Sequence, residues 1–295
     1  MLFQVHCTLT KSISYIEMGL GRKEIASLIV LKLHENKQLL YKAFNENRDG
    51  VRFFYIDNLL PDDLCQKIND AFPNNSEMVL KKSLGEDKYV GVQMDTYKSL
   101  IADVVYAFQD IRIVEVIREI CNIGECSADA SLYAGGISSM NEKQFLKPHL
   151  DNSHDQNRNK WRVLNLLYYT TPDWEEENGG NLEVWPHGLK RNPITVLSKF
   201  NRLIVMGTDK NSWHSVSPVT VDKRRNCVSN YYFSDTPLNN EDSFHVTTFR
   251  GWPRQKLEDA VLRFDSFARM CIRKIFPKGI VKNPHVYNKK PSKKT

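Results

Sequence analysis

Short runs of β-branched and aromatic residues, separated by turn-forming clusters, occupy the chain from Ala128 to about Ser234. Glycine, asparagine, aspartate and serine are concentrated in the intervals, where they favour turns. Because no helical periodicity comes between the runs, they predict an antiparallel sandwich or barrel of many short strands. The predicted strands cover residues 131–133, 162–169, 182–185, 202–206, 216–221 and 227–233.

The segments on either side of this β-rich region have the periodicity of helices. Residues 22–47 carry an apolar stripe that predicts an amphipathic helix, interrupted near its middle at Asn36. Further predicted elements are a strand at 52–56, a helix at 62–72, one or two helices at 100–121 and a helix at 257–276.

The expected organisation is one main domain with two extensions. An N-terminal helical extension at 1–50 precedes the main domain at 51–255, whose β-rich core lies at about 129–235. A C-terminal helix and a basic tail follow at 256–295. The predicted fold class is therefore α+β, mainly β, with N-terminal helices packed on one sheet and a C-terminal helix.

The positive charge of the chain resides in its C-terminal tail. Of 41 Lys and Arg residues, eight lie between Arg273 and the C-terminus, so 33 remain against all 35 acidic residues. A groove for nucleic acid is therefore not expected on the body of the protein. The tail itself is Lys-rich with two prolines and is expected to be mobile.

The cysteines and the N-terminus indicate a soluble cytoplasmic protein. The six cysteines lack zinc-finger spacing, and even the close pair Cys121 and Cys126 is better explained as free thiols of a reducing compartment. The N-terminal residues lack the apolar core of a signal peptide. The longest apolar run nearby, 25–31, is far shorter than the ~20 residues that cross a bilayer. No membrane partner is expected.

A possible metal site begins at His149 and Asp151. Two positions apart in a strand, these residues point to the same face. His214 opens a later strand-like run and would complete a two-histidine, one-carboxylate set, which holds iron(II) and leaves coordination positions open. Two alternatives remain: His214 can be a hydrogen-bonded histidine beside Trp213, and His154 is a rival third ligand.

Two neighbouring arginines are candidates for binding a cosubstrate. An iron(II) oxygenase needs electrons to activate oxygen, and 2-oxoglutarate supplies them if its distal carboxylate meets a cation. Arg224 and Arg225 lie shortly after His214 at the head of the next strand. The planar guanidinium suits a carboxylate. Alternation places Arg225 on one face with Cys227 and Tyr231, so Arg225 is preferred and Arg224 is retained as the alternative.

Six motifs follow one another along the β-rich region: PHLDNSHD, RVLNLLYYTTPDW, ENGGNLEVW, FNRLIVMGT, SWHSVSPV and RRNCVSNYYFS. In this order they resemble the catalytic domain of iron(II)/2-oxoglutarate-dependent dioxygenases, and within that superfamily the prolyl 4-hydroxylase-like group. The Gly179-Gly180 pair matches the glycines that open a core strand in the family. Cys227 departs from the pattern, since many relatives carry a serine two positions after the arginine.

The resemblance implies a double-stranded β-helix, a jelly-roll of two packed sheets. It implies His149, Asp151 and His214 as iron ligands and Arg225 as the salt-bridge partner of 2-oxoglutarate. Tyr133 is implied as a hydrogen-bond donor to the same carboxylate. The implied cofactors are Fe(2+) and 2-oxoglutarate, with ascorbate as an optional addition. An acidic ligand such as Asp151 favours hydroxylation over halogenation.

The expected function is hydroxylation of an unactivated C–H bond, in a prolyl or other amino-acid side chain, free or in a peptide. The alternatives are a small-molecule tailoring hydroxylase and a non-catalytic jelly-roll module that binds a metal or ligand. The loops 152–160 and 173–178 are expected to flank the pocket. Glutamates at 175–177 can attract a cationic substrate or can simply form a solvated acidic loop. The oligomeric state is not predicted.

Overall fold

The computed structural model describes residues 20–46, 50–276 and 286–287. The helices of the described residues are α1 (Arg22–Asn45), α2 (Asp62–Ala71), α3 (Ser99–Ala107), α4 (Ile111–Cys121) and α5 (Lys256–Ile275). The strands are β1 (Phe53–Ile56), β2 (Val79–Lys82), β3 (Glu86–Gly91), β4 (Cys126–Ala128), β5 (Gly136–Met140), β6 (Phe145–Leu150), β7 (Trp161–Tyr169), β8 (Leu182–Val184), β9 (Ile194–Val196), β10 (Arg202–Gly207), β11 (His214–Val216), β12 (Arg225–Ser234) and β13 (Thr248–Phe249).

All these strands belong to one curled antiparallel sheet. Its order is β1-β10-β7-β12-β5-β3-β6-β11-β8-β9, with β13 on β6, β2 on β3 and β4 on β12. Strand β3 joins the two halves, since it pairs with both β5 and β6. Side chains of β5, β7 and β12 line the same cavity as side chains of β6, β8 and β11. The two halves therefore face each other, and the predicted jelly-roll core is confirmed.

A layer of helices covers the outer face of one half of the sheet. Leu164 and Leu166 of β7 pack in one core with apolar residues of α1 to α4, whereas Asn165 and Leu167 of the same strand point into the cavity. β7 is therefore buried on both faces, which explains its almost continuous apolar sequence. The predicted packing of N-terminal helices on one sheet is confirmed.

Helix α1 is continuous, so the predicted interruption at Asn36 is wrong. The Asn36 side chain is half-buried, and its amide nitrogen donates to the carbonyl oxygen of Lys32, one turn earlier, at 2.9 Å. This bond satisfies the polar group on the surface of the helix. The buried stripe continues on either side through Leu33 and Leu40.

Two strand predictions are also wrong. Residues 131–133 form a turn, because the carboxylate of Asp129 accepts hydrogen bonds from the backbone nitrogens of Ser131 and Tyr133. The strand predicted at 216–221 ends at Val216, and Pro218 just beyond it has no N–H for a ladder.

Several described features were not predicted from the sequence, among them the strands β2, β3, β5, β9 and β13 and the position of two tail residues. The hairpin of β2 and β3 has a charged sequence without apolar alternation, but β3 is held by its pairing with β5 and β6. In the tail, Val286 is buried, and the backbone nitrogen of Tyr287 donates to the carbonyl oxygen of Ser131 at 2.8 Å. The expected mobility of the tail is therefore wrong at these two positions.

The remaining expectations concern the termini and the cysteines. Part of the predicted extension at 1–50 lies outside the described residues. None of the described helices combines the length and hydrophobicity that crossing a membrane requires. Five cysteines of the described residues, including Cys121 and Cys126, have free thiols.

Candidate metal centre

Three side chains converge at one end of the cavity. His149 of β6 and His214 of β11 are register partners, and their ring centroids are 4.1 Å apart. The carboxylate of Asp151, just after β6, lies 3.7 Å from Nε2 of His149 and 3.9 Å from Nε2 of His214. One ligand atom from each residue lies within 4.8 Å of the others, so the three can share one ion. The structure thus brings together the three residues that the sequence singled out.

The backbone sets the tautomer of both histidines. Nδ1 of His149 lies 2.9 Å from the carbonyl oxygen of Lys147, and Nδ1 of His214 lies 2.8 Å from that of Ser212. Because a carbonyl oxygen can only accept, each Nδ1 carries the proton and each Nε2 keeps its lone pair. The Nε2 lone pairs of the two histidines and the carboxylate of Asp151 then face one point, and none of these three groups carries a proton there. This donor set fits a divalent cation, and two histidines with one carboxylate suit iron(II).

Burial and neighbouring charges keep the centre in its metal-binding protonation state. Burial, together with the nearby His214, lowers the pKa of His149 to about 3, so this imidazole is neutral at physiological pH. Burial alone raises the pKa of Asp151, but the neighbouring groups, of which Arg162 has the largest effect, together outweigh burial, and the pKa lies below its ordinary value. The carboxylate is therefore ionised and ready to bind a cation.

Arg162 is a buried cation beside the centre that sequence reasoning missed. Its Nη1 lies 3.6 Å from the Asp151 carboxylate, and the guanidinium lies 4.0 Å from the ring centroid of Tyr231. Its Nε and Nη2 have no hydrogen-bond partner among the described residues. The pairing of β7 with β12 skips Val163, so a bulge there breaks the alternation that sequence reasoning would assume.

Arg225 lies in the same cavity as the three converging side chains. It is 3% exposed, its Nε donates to Ser198 Oγ at 3.1 Å, and its guanidinium lies 4.6 Å from the ring centroid of Tyr169. No carboxylate of the described residues forms an ion pair with it. A buried guanidinium without an acidic partner is suited to an anionic ligand.

Glycine at position 180 makes room for Arg225. A Cβ added to Gly180 would lie 2.9 Å from Cδ of Arg225, and the backbone φ of +62° also favours glycine. The predicted glycine pair thus precedes β8 as expected, and Gly180 additionally borders the buried arginine. Arg224, the alternative anchor, points elsewhere, since its Nη1 donates to the carbonyl oxygen of Pro73 at 2.8 Å. Alternation along β12 separates the two arginines.

Tyr133 does not reach Arg225. Its ring centroid lies 5.9 Å from the guanidinium of Arg162, so Tyr133 lies beside a different arginine. The turn at Asp129 carries Tyr133 to this position. Tyr169 occupies the place beside Arg225 instead, and its hydroxyl is buried without a hydrogen-bond partner among the described residues. Tyr169 could have been identified from the sequence, because it lies four positions after Asn165 on β7 and alternation places both residues on the same face of the strand.

The loops predicted to flank the pocket differ in position. His154, the rival third ligand, is not in the metal-binding group but stacks on Phe244, with ring centroids 4.6 Å apart. The loop 152–160 begins directly after Asp151, so its first residues lie beside the centre. Glutamates 175–177 are exposed and are not among the described residues that line the cavity. Of the two alternatives for these glutamates, this placement agrees with a solvated acidic loop and not with a site that attracts a cationic substrate.

Comparison with known proteins identifies the class. Residues 135–233 match the 2OG-Fe(II) oxygenase superfamily, within the predicted core at about 129–235. This segment belongs to that superfamily, so the fold and the site define a 2-oxoglutarate-dependent dioxygenase whose cofactors are iron(II) and 2-oxoglutarate. No curated protein sequence matches the chain.

Two solved structures resemble this chain at low sequence identity. A prolyl 4-hydroxylase from Phytophthora capsici is 17% identical, with a TM-score of 0.50, over 83% of this chain and 75% of that one. A Pseudomonas putida prolyl 4-hydroxylase is 15% identical, with a TM-score of 0.48, over 66% of this chain and 98% of that one. The likeness to the Phytophthora capsici structure concerns the fold alone, and it agrees with the jelly-roll core.

Proposed function

We propose that the protein hydroxylates an unactivated C–H bond of a prolyl or other amino-acid side chain, free or in a peptide. In this proposal His149, Asp151 and His214 hold iron(II), and Arg225 binds the distal carboxylate of 2-oxoglutarate. One observation carries the proposal. The three potential ligands and a buried arginine without an acidic partner among the described residues line one cavity.

The chemistry comes from the bound group, and the protein contributes orientation and a dry environment. Bound iron(II) and 2-oxoglutarate supply oxidation by O2, in which one oxygen atom enters the substrate C–H bond as hydroxyl and the other leaves in succinate, with loss of CO2. His149 and His214 present unprotonated Nε2 atoms because their Nδ1 protons are held by backbone carbonyls. Arg225, fixed by Ser198, orients the dicarboxylate.

Two buried side chains that adjoin the cavity-lining residues Arg225 and Asp151 are suited to further contacts. The buried hydroxyl of Tyr169 lies beside Arg225 and can donate to the same carboxylate of 2-oxoglutarate. The unpartnered Nε and Nη2 of Arg162, next to Asp151, can donate to a carbonyl oxygen of a peptide substrate. The second contact supports the peptide or amino-acid class of substrate.

The free thiols of the described residues support a cytoplasmic location.

Anaerobic titration tests the metal site. Iron(II) and 2-oxoglutarate added to the protein should give a weak visible charge-transfer band, and the His214→Ala variant should lose it. A band that survives in this variant would contradict the role of His214. A 2-oxoglutarate consumption screen over free amino acids and proline-containing peptides then tests the substrate class, and succinate formation with none of them would favour a non-catalytic module.

A further inference from the structure

A strap formed by residues 243–250 covers the strand that carries His149. The strap lies outside the segment 135–233 that matches the superfamily. Its strand β13 pairs with β6 at Thr248–Leu150 and Phe249–His149, while β3 pairs with the beginning of β6. The strap thus completes an edge of β6 that would otherwise end in unpaired backbone groups beside the metal centre.

His245 connects the strap to the main chain of Asp151. Its Nε2 lies 2.9 Å from the carbonyl oxygen of Asp151, and its Nδ1 lies 2.9 Å from the carbonyl oxygen of Ser243. A neutral imidazole donates to one of these two oxygens, and the tautomer with its proton on Nε2 is the one that binds Asp151. The backbone nitrogen of His245 donates to Oγ of Ser153 at 2.9 Å, and the backbone nitrogen of Ser153 donates to the carbonyl oxygen of His245 at 3.1 Å. The segment from Asp151 to Ser153 is therefore held by His245, through its side chain at Asp151 and through its backbone at Ser153.

The far end of the strap is fastened to the body. Phe249 stacks on His149, with ring centroids 5.2 Å apart and an interplanar angle of 29°. The guanidinium of Arg250 binds the carboxylate of Asp259 on α5 through two hydrogen bonds of 2.5 Å and 2.9 Å. The backbone nitrogen of Arg250 also donates to the carbonyl oxygen of Pro148 at 2.8 Å. The strap is therefore a fixed support.

The Asp151 carboxylate has two long contacts with neighbouring side chains and one further hydrogen-bonding neighbour. Asn165 Nδ2 lies 3.4 Å from one carboxylate oxygen, Arg162 Nη1 lies 3.6 Å from the other, and the Tyr231 hydroxyl also interacts with the carboxylate. Contacts at the first two distances are weak. The backbone of Asp151, where His245 binds, is therefore a second determinant of the direction of the carboxylate.

We propose that His245 is a positioning residue that orients Asp151 toward the metal by holding its backbone carbonyl. The inference rests on the proposed metal centre. Groups that orient a metal ligand typically change metal affinity about 10- to 100-fold when removed. His245→Ala should therefore weaken metal binding, even though the side chain does not itself contact the metal.

The test uses cobalt(II) alone, whose visible absorption reports coordination by the protein. His245→Ala should raise the cobalt(II) Kd about 10-fold or more, with a weaker ligand-field spectrum. His245→Gln keeps an amide donor for the Asp151 carbonyl and should restore most of the affinity. Ser243→Ala, which removes only an exposed hydroxyl from the same strap, should bind cobalt(II) like the wild type.

Two results would overturn the inference. In the first, His245→Ala binds cobalt(II) as tightly as the wild type. In the second, both His245 variants lose affinity equally and only in step with a lower urea midpoint of the metal-free protein, which is what a purely structural role predicts. If the wild type itself binds no cobalt(II), the proposed metal centre fails together with the inference.

Discussion

Replacing Gly180 with alanine should disturb both the fold and the binding of 2-oxoglutarate. Gly180 has a backbone φ of +62°, where an L-residue costs about 1–2 kcal/mol. Its new Cβ would also lie 2.9 Å from Cδ of Arg225 and 3.0 Å from Cγ2 of Val219. Overpacking of this kind costs about 1–3 kcal/mol. We therefore expect a loss of about 2–5 kcal/mol in the free energy of unfolding.

Gly188 provides the matched control. Its φ is +72°, but a Cβ added there meets nothing within 4 Å. Gly188→Ala should therefore lose only the backbone contribution of about 1–2 kcal/mol. Urea unfolding of both variants separates the backbone contribution from the crowding contribution. The additional loss of stability in Gly180→Ala, compared with Gly188→Ala, measures the crowding around Arg225.

The crowding should also weaken cosubstrate binding. Arg225 is held by Ser198 and lies against Tyr169, so its Cδ can move only by disturbing the guanidinium that faces the cavity. Calorimetric titration with 2-oxoglutarate in the presence of nickel(II) should give a higher Kd for Gly180→Ala and an unchanged Kd for Gly188→Ala. Equal stabilities and equal Kd values in the two variants would refute the argument that glycine at 180 is required by Arg225.

Two further predictions concern charged side chains. Arg225→Met should weaken 2-oxoglutarate binding about 10- to 100-fold, equivalent to ~1.5–3 kcal/mol. The control Arg224→Met should bind 2-oxoglutarate like the wild type. Equal losses of affinity in the two variants, measured by calorimetry, would contradict the assignment of Arg225. Burial alone raises the pKa of Asp57, but hydrogen bonds from Arg202 and Lys199 outweigh burial and hold the pKa below its ordinary value. The stabilisation from this carboxylate is present above its unfolded-state pKa and is lost as pH falls through its folded-state pKa. Asp57→Asn should therefore be less stable than the wild type at pH 7, and the difference in stability between the two proteins should shrink toward pH 3. A difference in urea midpoint between Asp57→Asn and the wild type that does not change with pH would contradict this role of the Asp57 carboxylate.

Local patterns in the sequence were sufficient to predict the class of fold and the three side chains that converge in the cavity. Short strands and turn residues predict a β-rich core because both depend on backbone preferences of a few neighbouring residues. His149 and Asp151 are identifiable because they are two positions apart on one strand, and alternation along β12 correctly favours Arg225 over Arg224 for the cavity. Such periodicities survive in any tertiary context that keeps the strand regular.

Contacts between distant segments could be decided only by the tertiary structure. A bulge at Val163 brings Arg162 to Asp151, and a turn held by Asp129 removes Tyr133 from the place beside Arg225 that Tyr169 occupies. Nothing local indicates these changes, because a bulge or an Asx turn alters the direction of side chains without altering composition.

The same limit applies to the strap. The sequence alone determined which residues can bind a metal, since ligand chemistry belongs to the side chain itself. Only the folded chain decided that His245, 94 positions after Asp151, holds its carbonyl. Pairing between segments so far apart depends on the closure of the whole sheet, and no short stretch of sequence encodes it.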